Sequence, residues 1–202
     1  MCSQKWWLPA LSRIKENDRR DGIRPIMIFQ ETKLQGAYVV DIKELVDERG
    51  FFARGWCKHK FEEYGLASRV AQANISYNKK KGTLRGLHYQ IEPYAETKLI
   101  RCTRGAIYDV IIDLRPESST YREWIGVELT ADNHRMLYVP EVFAHGFQTL
   151  EDNTEVFYQV SAFYTPEAER GLRYDDPKFG INWPLEVSMI SSKDANWPNY
   201  SY

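Results

Sequence analysis

Two short motifs contain the residues of this chain that are best suited to chemistry. RGLHYQ (Arg85–Gln90) and FAHGF (Phe143–Phe147) each place one histidine, His88 or His145, in a β-like segment beside cationic, glycine or amide neighbours. A lone histidine in a strand is usually a satisfied core residue. Histidine also titrates nearest to neutral pH, so two of the chain's four histidines in such motifs indicate acid–base chemistry.

The alternative interpretation of two strand histidines is a metal site. Such sites in small β-barrels normally use three imidazoles and a carboxylate, often with a His-x-His pair whose alternate residues point at one ligand. Position 90 is Gln90 rather than histidine, and His88 and His145 alone do not make a three-ligand site. We therefore expect a site without a metal or another cofactor.

Histidines and a lysine can, without metal, remove a proton from a carbon next to a carbonyl. That reaction needs a base with a pKa near neutrality and fixed donors or cations at the enolate oxygen. His88 as the base, with His145 and Lys98 near the oxygen, meets this need. A carboxylate must also orient the base, and spacing does not choose among three candidates: Asp109, Asp113 and Asp194.

Short β-strands must position these residues, because the β signal dominates from residue 36 onward. One short helix is predicted over Lys58–Tyr64. The predicted strands are Tyr38–Ile42, Gln72–Tyr77, Thr83–Tyr89, Lys98–Thr103, Ala106–Leu114, Glu123–Leu129, Arg135–Val139, His145–Leu150 and Thr154–Phe163. About eight or nine closely spaced strands with few helices indicate an all-β sandwich or barrel, around which the irregular segment after Pro166 wraps.

The strand Ala106–Leu114 places two acids beside two isoleucines. Alternate side chains of a strand point the same way, so Asp109 and Asp113 share a face with Ile107 and Ile111. That face is either the barrel exterior or a dimer surface, or else it carries carboxylates into a pocket. The pattern favours the exterior or dimer surface.

Composition limits the partners and the compartment. A net charge of −1 provides no global field for nucleic acid or an anionic membrane, and no apolar run approaches the ~20 residues that span a bilayer. Three cysteines without metal-ligand spacing are typical of free thiols in a reducing compartment, which predicts a cytoplasmic protein. Residues 1–25 resemble an extension without a signal-peptide pattern, and 26–202 form one predicted domain.

Longer segments point to a known family. The matching segments are Asp47–Phe52, Gln72–Asn78, Gly82–Gln90, Lys98–Arg115, Leu137–Leu150, Glu155–Pro166 and Ser191–Asp194. In this order and spacing they resemble the dTDP-4-dehydrorhamnose 3,5-epimerase family, whose members act on nucleotide-linked 4-keto-6-deoxysugars. The resemblance extends over roughly residues 27–197, which makes it far more specific than any single motif.

The resemblance implies a cupin-like jelly-roll homodimer without metal and assigns catalytic roles. His88 would be the base, with Asp194 as its dyad partner. His145 and Lys98 would steady the enolate. Tyr158 would return the proton on the opposite face of the sugar.

The same resemblance implies how the substrate is held. Arg85 and Arg49 would bind the diphosphate, with Arg49 crossing from the other subunit. Tyr164 would line the nucleotide end of the pocket. Three amide side chains complete the expected substrate pocket: Gln72, Asn74 and Gln90.

One geometric condition follows from the motif itself. Arg85 and His88 are three residues apart, so a regular strand would send them to opposite faces. Gly86 between them could supply a bulge that realigns the two side chains.

The expected function is epimerisation at carbons 3 and 5 of a dTDP-linked 4-keto-6-deoxysugar, in deoxysugar and surface polysaccharide biosynthesis. Inversion at one carbon alone is an alternative, because relatives acting at one carbon share the same residues. A ketoisomerase, or a non-catalytic module that binds sugar nucleotides, could use the same barrel. Thymidine is the expected nucleoside, and CDP- or GDP-linked sugars stay open.

Overall fold

The computed structural model describes residues 27–201, and the predicted extension over 1–25 lies outside the described residues. Within 27–201 the chain forms fourteen strands and two short α-helices. The strands are β1 (Met27–Glu31), β2 (Tyr38–Ile42), β3 (Leu45–Asp47), β4 (Gly50–Phe52), β5 (Gln72–Asn78), β6 (Thr83–Gln90), β7 (Lys98–Arg104), β8 (Ala106–Asp113), β9 (Trp124–Thr130), β10 (Met136–Val139), β11 (Phe143–Thr149), β12 (Thr154–Val160), β13 (Glu169–Gly171) and β14 (Met189–Ile190). The helices are α1 (Lys58–Glu63) and α2 (Ser192–Ala195). None of the helices in this range is long and apolar enough to cross a membrane.

Two sheets of six strands face each other, which confirms the all-β prediction. The first sheet has the order β1-β2-β10-β7-β12-β5. The second has the order β13-β6-β11-β8-β9, with β14 added in parallel beside β6. Strands β3 and β4 form a separate hairpin. Most neighbouring strands are distant in sequence, so the chain crosses repeatedly between the sheets.

Alternate residues of both sheets fill the space between them. Ile100 of β7 and Val156 of β12 come from the first sheet, and Ile111 of β8 and Phe143 of β11 come from the second. All four are buried, with at most 2% of their surface exposed. Each such side chain contributes about 1.5–3 kcal/mol of burial free energy. This interior is therefore the principal core that holds the sheets together.

Strand β8 is buried on both faces, which explains its nearly continuous apolar sequence. Ile107 and Ile111 face the interior, whereas Val110 and Ile112 pack in a second cluster on the outer side. The segment after residue 171 covers that outer side, as the sequence predicted, and contributes Phe179 to the cluster.

An aromatic cluster covers the outer face of the first sheet. Phe61 of α1 meets Phe29 of β1 edge-on with the ring centroids 5.2 Å apart. Phe29 in turn stacks on Tyr64 at 4.3 Å. Aromatic pairs of this geometry add to the free energy of simple burial. These rings therefore fasten α1 to the sheet.

The edge strand β5 gives one side of the interior a polar wall. Its register with β12 sets Asn74 opposite Tyr158 and Ser76 opposite Val156. Opposite residues in an antiparallel pair share a face, and Val156 belongs to the interior cluster. The even-numbered residues of β5, Gln72 to Asn78, therefore point inward. The apolar core gives way to polar groups at this edge, and this is where a site can form.

Candidate active site

Two adjoining cavities open between the sheets beside β5 and β6. Their volumes are about 360 Å³ and 380 Å³. His88, Lys98 and Tyr158 line both cavities, so these three side chains mark the place where the two meet. His88 stands on β6 of the second sheet, whereas Lys98 and Tyr158 stand on β7 and β12 of the first. A molecule at this junction would have the histidine on one wall and the tyrosine on the other.

His88 is paired with Asp194, one of the three carboxylates that the sequence left open. Its Nε2 lies 2.7 Å from Oδ1 of Asp194. Asp194 sits on the short helix α2, and the Ser191 side chain caps that helix by accepting from the Asp194 backbone N–H. The other carboxylate oxygen accepts the backbone N–H of Gly86 at 3.2 Å. Both ends of the carboxylate are thus held.

The charge state of Asp194 fixes which ring nitrogen of His88 carries the hydrogen of their bond. Burial by itself would raise the pKa of Asp194, but the hydrogen bond and charge of His88 and the Gly86 N–H outweigh it. The net result is a pKa below the ordinary value, so Asp194 is a carboxylate at neutral pH. A carboxylate can only accept, so Nε2 of His88 carries the hydrogen of this bond, and in the neutral imidazole the lone pair is on Nδ1. The imidazole is arranged as a base.

A bulge in β6 brings Arg85 to the same side as His88. In the pairing with β11, His88 is opposite His145 and Arg85 is opposite Phe147. Three steps along β6 therefore match two along β11, and the predicted bulge is confirmed. Gly86 lies in this segment with φ of 112°, and an added Cβ would sit 2.6 Å from the Gly146 Cα. Only glycine fits there.

His145 has a carboxylate partner of its own. Its Nε2 lies 2.6 Å from Oδ1 of Asp109, which has no exposed surface. Burial raises the pKa of Asp109, and the charge and hydrogen bond of His145 oppose that effect. The expectation that Asp109 and Asp113 face the exterior or a dimer surface is wrong. Both are fully buried, because the face of β8 that they share with Ile107 and Ile111 points into the interior between the sheets.

Asp113 has a structural role at the end of β8. Its carboxylate accepts from Arg115, Ser118 and Thr120, and the closest contact of each is between 2.5 and 2.7 Å. These bonds tie down the turn that follows the strand. Asp113 therefore does not serve as the partner of either histidine.

The first sheet contributes a lysine, a glutamate and a tyrosine to the junction. Lys98 is buried and its ammonium contacts the carboxylate of Glu96, which lines the 380 Å³ cavity. Tyr158 is partly buried beside the interior core. Burial raises its pKa, the negative charge of Glu96 adds to the rise, and Arg85 opposes it. The Tyr158 hydroxyl therefore keeps its proton at neutral pH and can donate it.

The 380 Å³ cavity collects four of the residues expected in the substrate pocket. Gln72, Asn74, Gln90 and Tyr164 line it together with Glu169. The Gln72 side chain accepts the backbone N–H of Tyr164 at 2.8 Å, and the Tyr164 hydroxyl donates to Glu169 at 2.7 Å. Strand β12 ends at Val160, before Tyr164, so a loop rather than the predicted longer strand brings this ring to the cavity.

Most of the hydrogen-bonding groups of the Gln90 side chain are bound to the protein itself. Its amide donates to the carbonyls of Tyr94 and Phe163 at 3.0 and 3.2 Å. Its oxygen accepts the Thr165 N–H at 2.6 Å. Both amide protons are bound to backbone carbonyls, so Gln90 fastens the loop that carries Tyr164.

Arg49 is the one expected site residue that the described chain does not bring to the cavities. It stands on the β3–β4 hairpin, where it pairs with Asp47 and its side chain is 84% exposed. Four exposed apolar side chains surround it on that hairpin: Leu45, Val46, Phe51 and Phe52. The hairpin combines an exposed cation with an exposed apolar surface.

Comparison with known proteins identifies the family. A model of the family described as dTDP-4-dehydrorhamnose 3,5-epimerase matches residues 31–201. The chain belongs to this family. A dTDP-4-dehydrorhamnose 3,5-epimerase from Methanothermobacter thermautotrophicus is 45% identical over 172 residues, which cover 84% of this chain and 92% of the relative. The resemblance inferred from the motifs is confirmed.

Solved structures of the epimerase family share the fold. The dTDP-4-dehydrorhamnose 3,5-epimerase of Bacillus anthracis, determined with TDP and PPi bound, is 42% identical with a TM-score of 0.83 and covers 86% of this chain and 99% of that one. An epimerase of Legionella pneumophila, in complex with dTDP-4-keto-L-rhamnose, is 34% identical with a TM-score of 0.79 and covers 87% and 100%. The predicted cupin-like jelly roll is confirmed, and the chain is an isomerase of the epimerase class.

Sequence reasoning did not assign Glu96 or Asn78 to this epimerase-family site, and it did not pair Asp109 with His145. Glu96 pairs with Lys98, Asp109 pairs with His145, and Asn78 binds Arg85. The period of two along β5 was a usable signal for Asn78, since Gln72 and Asn74 were already expected in the pocket. No sequence pattern marked Glu169, which comes to the cavity from the short strand β13.

Proposed function

We propose that this protein inverts carbons 3 and 5 of a dTDP-linked 4-keto-6-deoxysugar by proton removal and return. The arrangement of His88 with Asp194 on one wall of the cavity, and Tyr158 on the facing wall, supports this most directly. Both carbons are neighbours of the carbon 4 ketone. Their hydrogens are therefore acidified by the same carbonyl, and one enolate-stabilising site can serve both.

Proton removal, the first step, is carried out by His88 of the second sheet. Nδ1 of His88 takes the proton from the carbon beside the ketone, while Asp194 holds the ring and balances the imidazolium that forms. Lys98 and His145 lie near the developing enolate oxygen. Fixed charges and donors in a partly desolvated cavity stabilise such an oxyanion more than water does.

Proton return, the second step, is carried out by Tyr158 of the first sheet. Tyr158 returns a proton from the opposite face of the enolate, and this inverts the carbon. Because its pKa is raised, the hydroxyl stays protonated until the enolate forms and takes the proton. Lys98 stands on the neighbouring strand β7, so donor and cation come from the same wall.

The two cavities suit the two ends of a nucleotide sugar. The sugar ring lies at the junction, the diphosphate lies near Arg85, and the nucleoside extends towards Tyr164. The guanidinium group matches phosphate oxygens through paired N–H donors. We take the nucleotide to be dTDP, since the Bacillus anthracis relative was solved with TDP and the Legionella pneumophila relative with a dTDP-sugar.

We further propose a homodimer in which the β3–β4 hairpin of one subunit reaches the site of the other. The exposed apolar residues of the hairpin, Phe51 and Phe52 among them, would be covered by the partner. Arg49 would then add a second cation at the diphosphate. The free thiols Cys57 and Cys102 suit a reducing compartment, and we place the reaction in the cytoplasm, where it would supply deoxysugars for surface polysaccharide.

Turnover of a dTDP-linked 4-keto-6-deoxysugar tests this function. NMR of the product should show inverted configuration at carbons 3 and 5 with the ketone still at carbon 4. A ketone moved to carbon 3 would indicate a ketoisomerase, and inversion at one carbon would restrict the proposal to that position. Tight binding without any turnover would instead favour a non-catalytic module.

A further inference from the structure

We propose that Asn78 is a positioning residue that sets the guanidinium of Arg85 for the diphosphate. This rests on the proposed function, in which Arg85 binds that group. Asn78 ends β5, is only 2% exposed, and lines neither cavity. It therefore acts through Arg85 rather than on the substrate.

Two backbone carbonyls fix the orientation of the Asn78 amide. Its nitrogen donates to the carbonyl of Ser76 at 3.1 Å and, in a longer bond, to that of Thr154 at 3.4 Å. Carbonyl oxygens only accept, so the NH₂ group must face them and the amide oxygen must face away. Both carbonyls belong to the β5–β12 ladder, where Asn78 and Thr154 are direct partners. The Asn78 amide is therefore anchored to two paired strands of the first sheet.

The amide oxygen of Asn78 accepts the Nε–H of Arg85 at 2.6 Å. Arg85 stands on the bulged strand β6, and its side chain reaches across to the edge of the first sheet for this bond. With Nε bound, both terminal nitrogens of the guanidinium stay available for an anion. The bond also fixes the direction in which they point.

A neutral partner leaves the charge of Arg85 uncompensated. Among residues 27–201 no carboxylate forms an ion pair with Arg85. An aspartate at position 78 could also accept from Nε, but it would neutralise the guanidinium and would set an acceptor oxygen against the carbonyls of Ser76 and Thr154. Asparagine thus combines orientation with a full positive charge, which is what a diphosphate requires.

Titration of TDP onto four proteins tests the proposal: wild type, Asn78→Ala, Arg85→Ala and the double variant. We expect Asn78→Ala to weaken TDP binding about three- to tenfold, the penalty for immobilising one flexible side chain on binding. In the Arg85→Ala background the same change should have no further effect, because Asn78 acts only through Arg85. An equal loss in both backgrounds would overturn the proposal.

Asn78→Asp provides the charge test. It should weaken TDP binding more than Asn78→Ala and flatten the salt dependence, because the guanidinium is already paired. Binding as strong as in wild type would contradict the role of a neutral partner. Turnover at saturating substrate should change little in Asn78→Ala, so that the effect appears in KM rather than in kcat.

Gln148→Ala is the matched control for lost stability. Gln148 is also a buried amide bound to backbone, through the carbonyl and N–H of Leu185, and it lines neither cavity. Its loss should lower the melting temperature and leave TDP affinity unchanged. A fall in TDP affinity as large as that of Asn78→Ala would reduce Asn78 to a structural residue.

A measurement on the wild-type protein covers the case in which position 78 tolerates no change. The Arg85 Nε–H, assigned with Arg85→Lys, should exchange slowly in NMR spectra without ligand. Rapid exchange would overturn the proposal. If Arg85→Ala itself left TDP affinity unchanged, the diphosphate role of Arg85 in the proposed function would fail first. If Arg85→Ala weakened TDP binding but Asn78→Ala left it unchanged, only the positioning role of Asn78 would fail.

Discussion

His88 and His145 stand directly opposite each other on β6 and β11, yet each pairs through Nε2 with a different buried aspartate. His88 pairs with Asp194, whose pKa is lowered, and His145 pairs with Asp109, whose pKa is raised by burial. Two identical side chains in one cavity thus have carboxyl partners whose pKa values are shifted in opposite directions. In the proposed mechanism the two histidines have different tasks, His88 as the base and His145 at the enolate.

The first prediction concerns the dyad. Asp194→Asn keeps the shape of the side chain but removes the charge that holds the Nε2–H tautomer and balances the imidazolium. We expect kcat to fall about 10²–10⁴-fold, the usual contribution of general acid–base catalysis. Steady-state kinetics measures this, and TDP binding by calorimetry should stay within about twofold of wild type. Unchanged kcat in a folded variant would remove Asp194 from the mechanism.

The second prediction concerns acid stability. Because the pKa of Asp194 is lower in the folded state than the ordinary value of 3.8, its ionised form stabilises the fold at every pH above that value. This contribution is lost as the pH falls below 3.8 towards the lower folded pKa. The melting temperature of wild type should therefore drop more steeply in that acid range than the melting temperature of Asp194→Asn. Parallel curves would contradict the lowered pKa.

The third prediction concerns Glu96. Its negative charge raises the pKa of Tyr158 beyond the effect of burial, so Glu96→Gln should lower that pKa. Arg85, whose positive charge opposes the rise in the pKa of Tyr158, is unchanged in this variant. NMR of labelled tyrosine, assigned with Tyr158→Phe, follows the titration directly. A pKa that rises or stays constant in Glu96→Gln would show that the glutamate does not influence the proton donor.

The fold was largely predictable because it rests on local signals. The nine strands and the helix predicted from the sequence agree with strands and α1 of the structure to within a few residues at each end. Strand alternation and turn residues mark these elements in the sequence. The β3–β4 hairpin was missed because its three-residue strands expose every side chain, so no buried face shows in the sequence.

The site was only partly predictable because its pairs are distant in sequence. His88 and Asp194 are 106 residues apart, and spacing could not select that carboxylate from three. Asp109 was misplaced because β8 is buried on both faces, so alternation does not tell its inside from its outside. The family resemblance supplied what local pattern could not.

The fourth prediction concerns the homodimer. If Arg49 of one subunit completes the site of the other, the inactive variants Arg49→Ala and His88→Ala should restore activity when mixed and allowed to exchange subunits. Random exchange makes about half of the dimers mixed, and each mixed dimer has one intact site, so about a quarter of wild-type activity should return. Activity that stays near the background of the separate variants would place Arg49 in its own subunit's site or in neither.

The fifth prediction tests the central claim, that His88 and Tyr158 exchange protons on opposite faces of the sugar. The measurement is turnover of a dTDP-linked 4-keto-6-deoxysugar in heavy water, followed by NMR at carbons 3 and 5. Wild type should place deuterium at both carbons with inverted configuration, His88→Ala should place none, and Tyr158→Phe should allow exchange with little inversion. Deuterium at both inverted carbons in the His88→Ala product, or full inversion by Tyr158→Phe, would contradict the account.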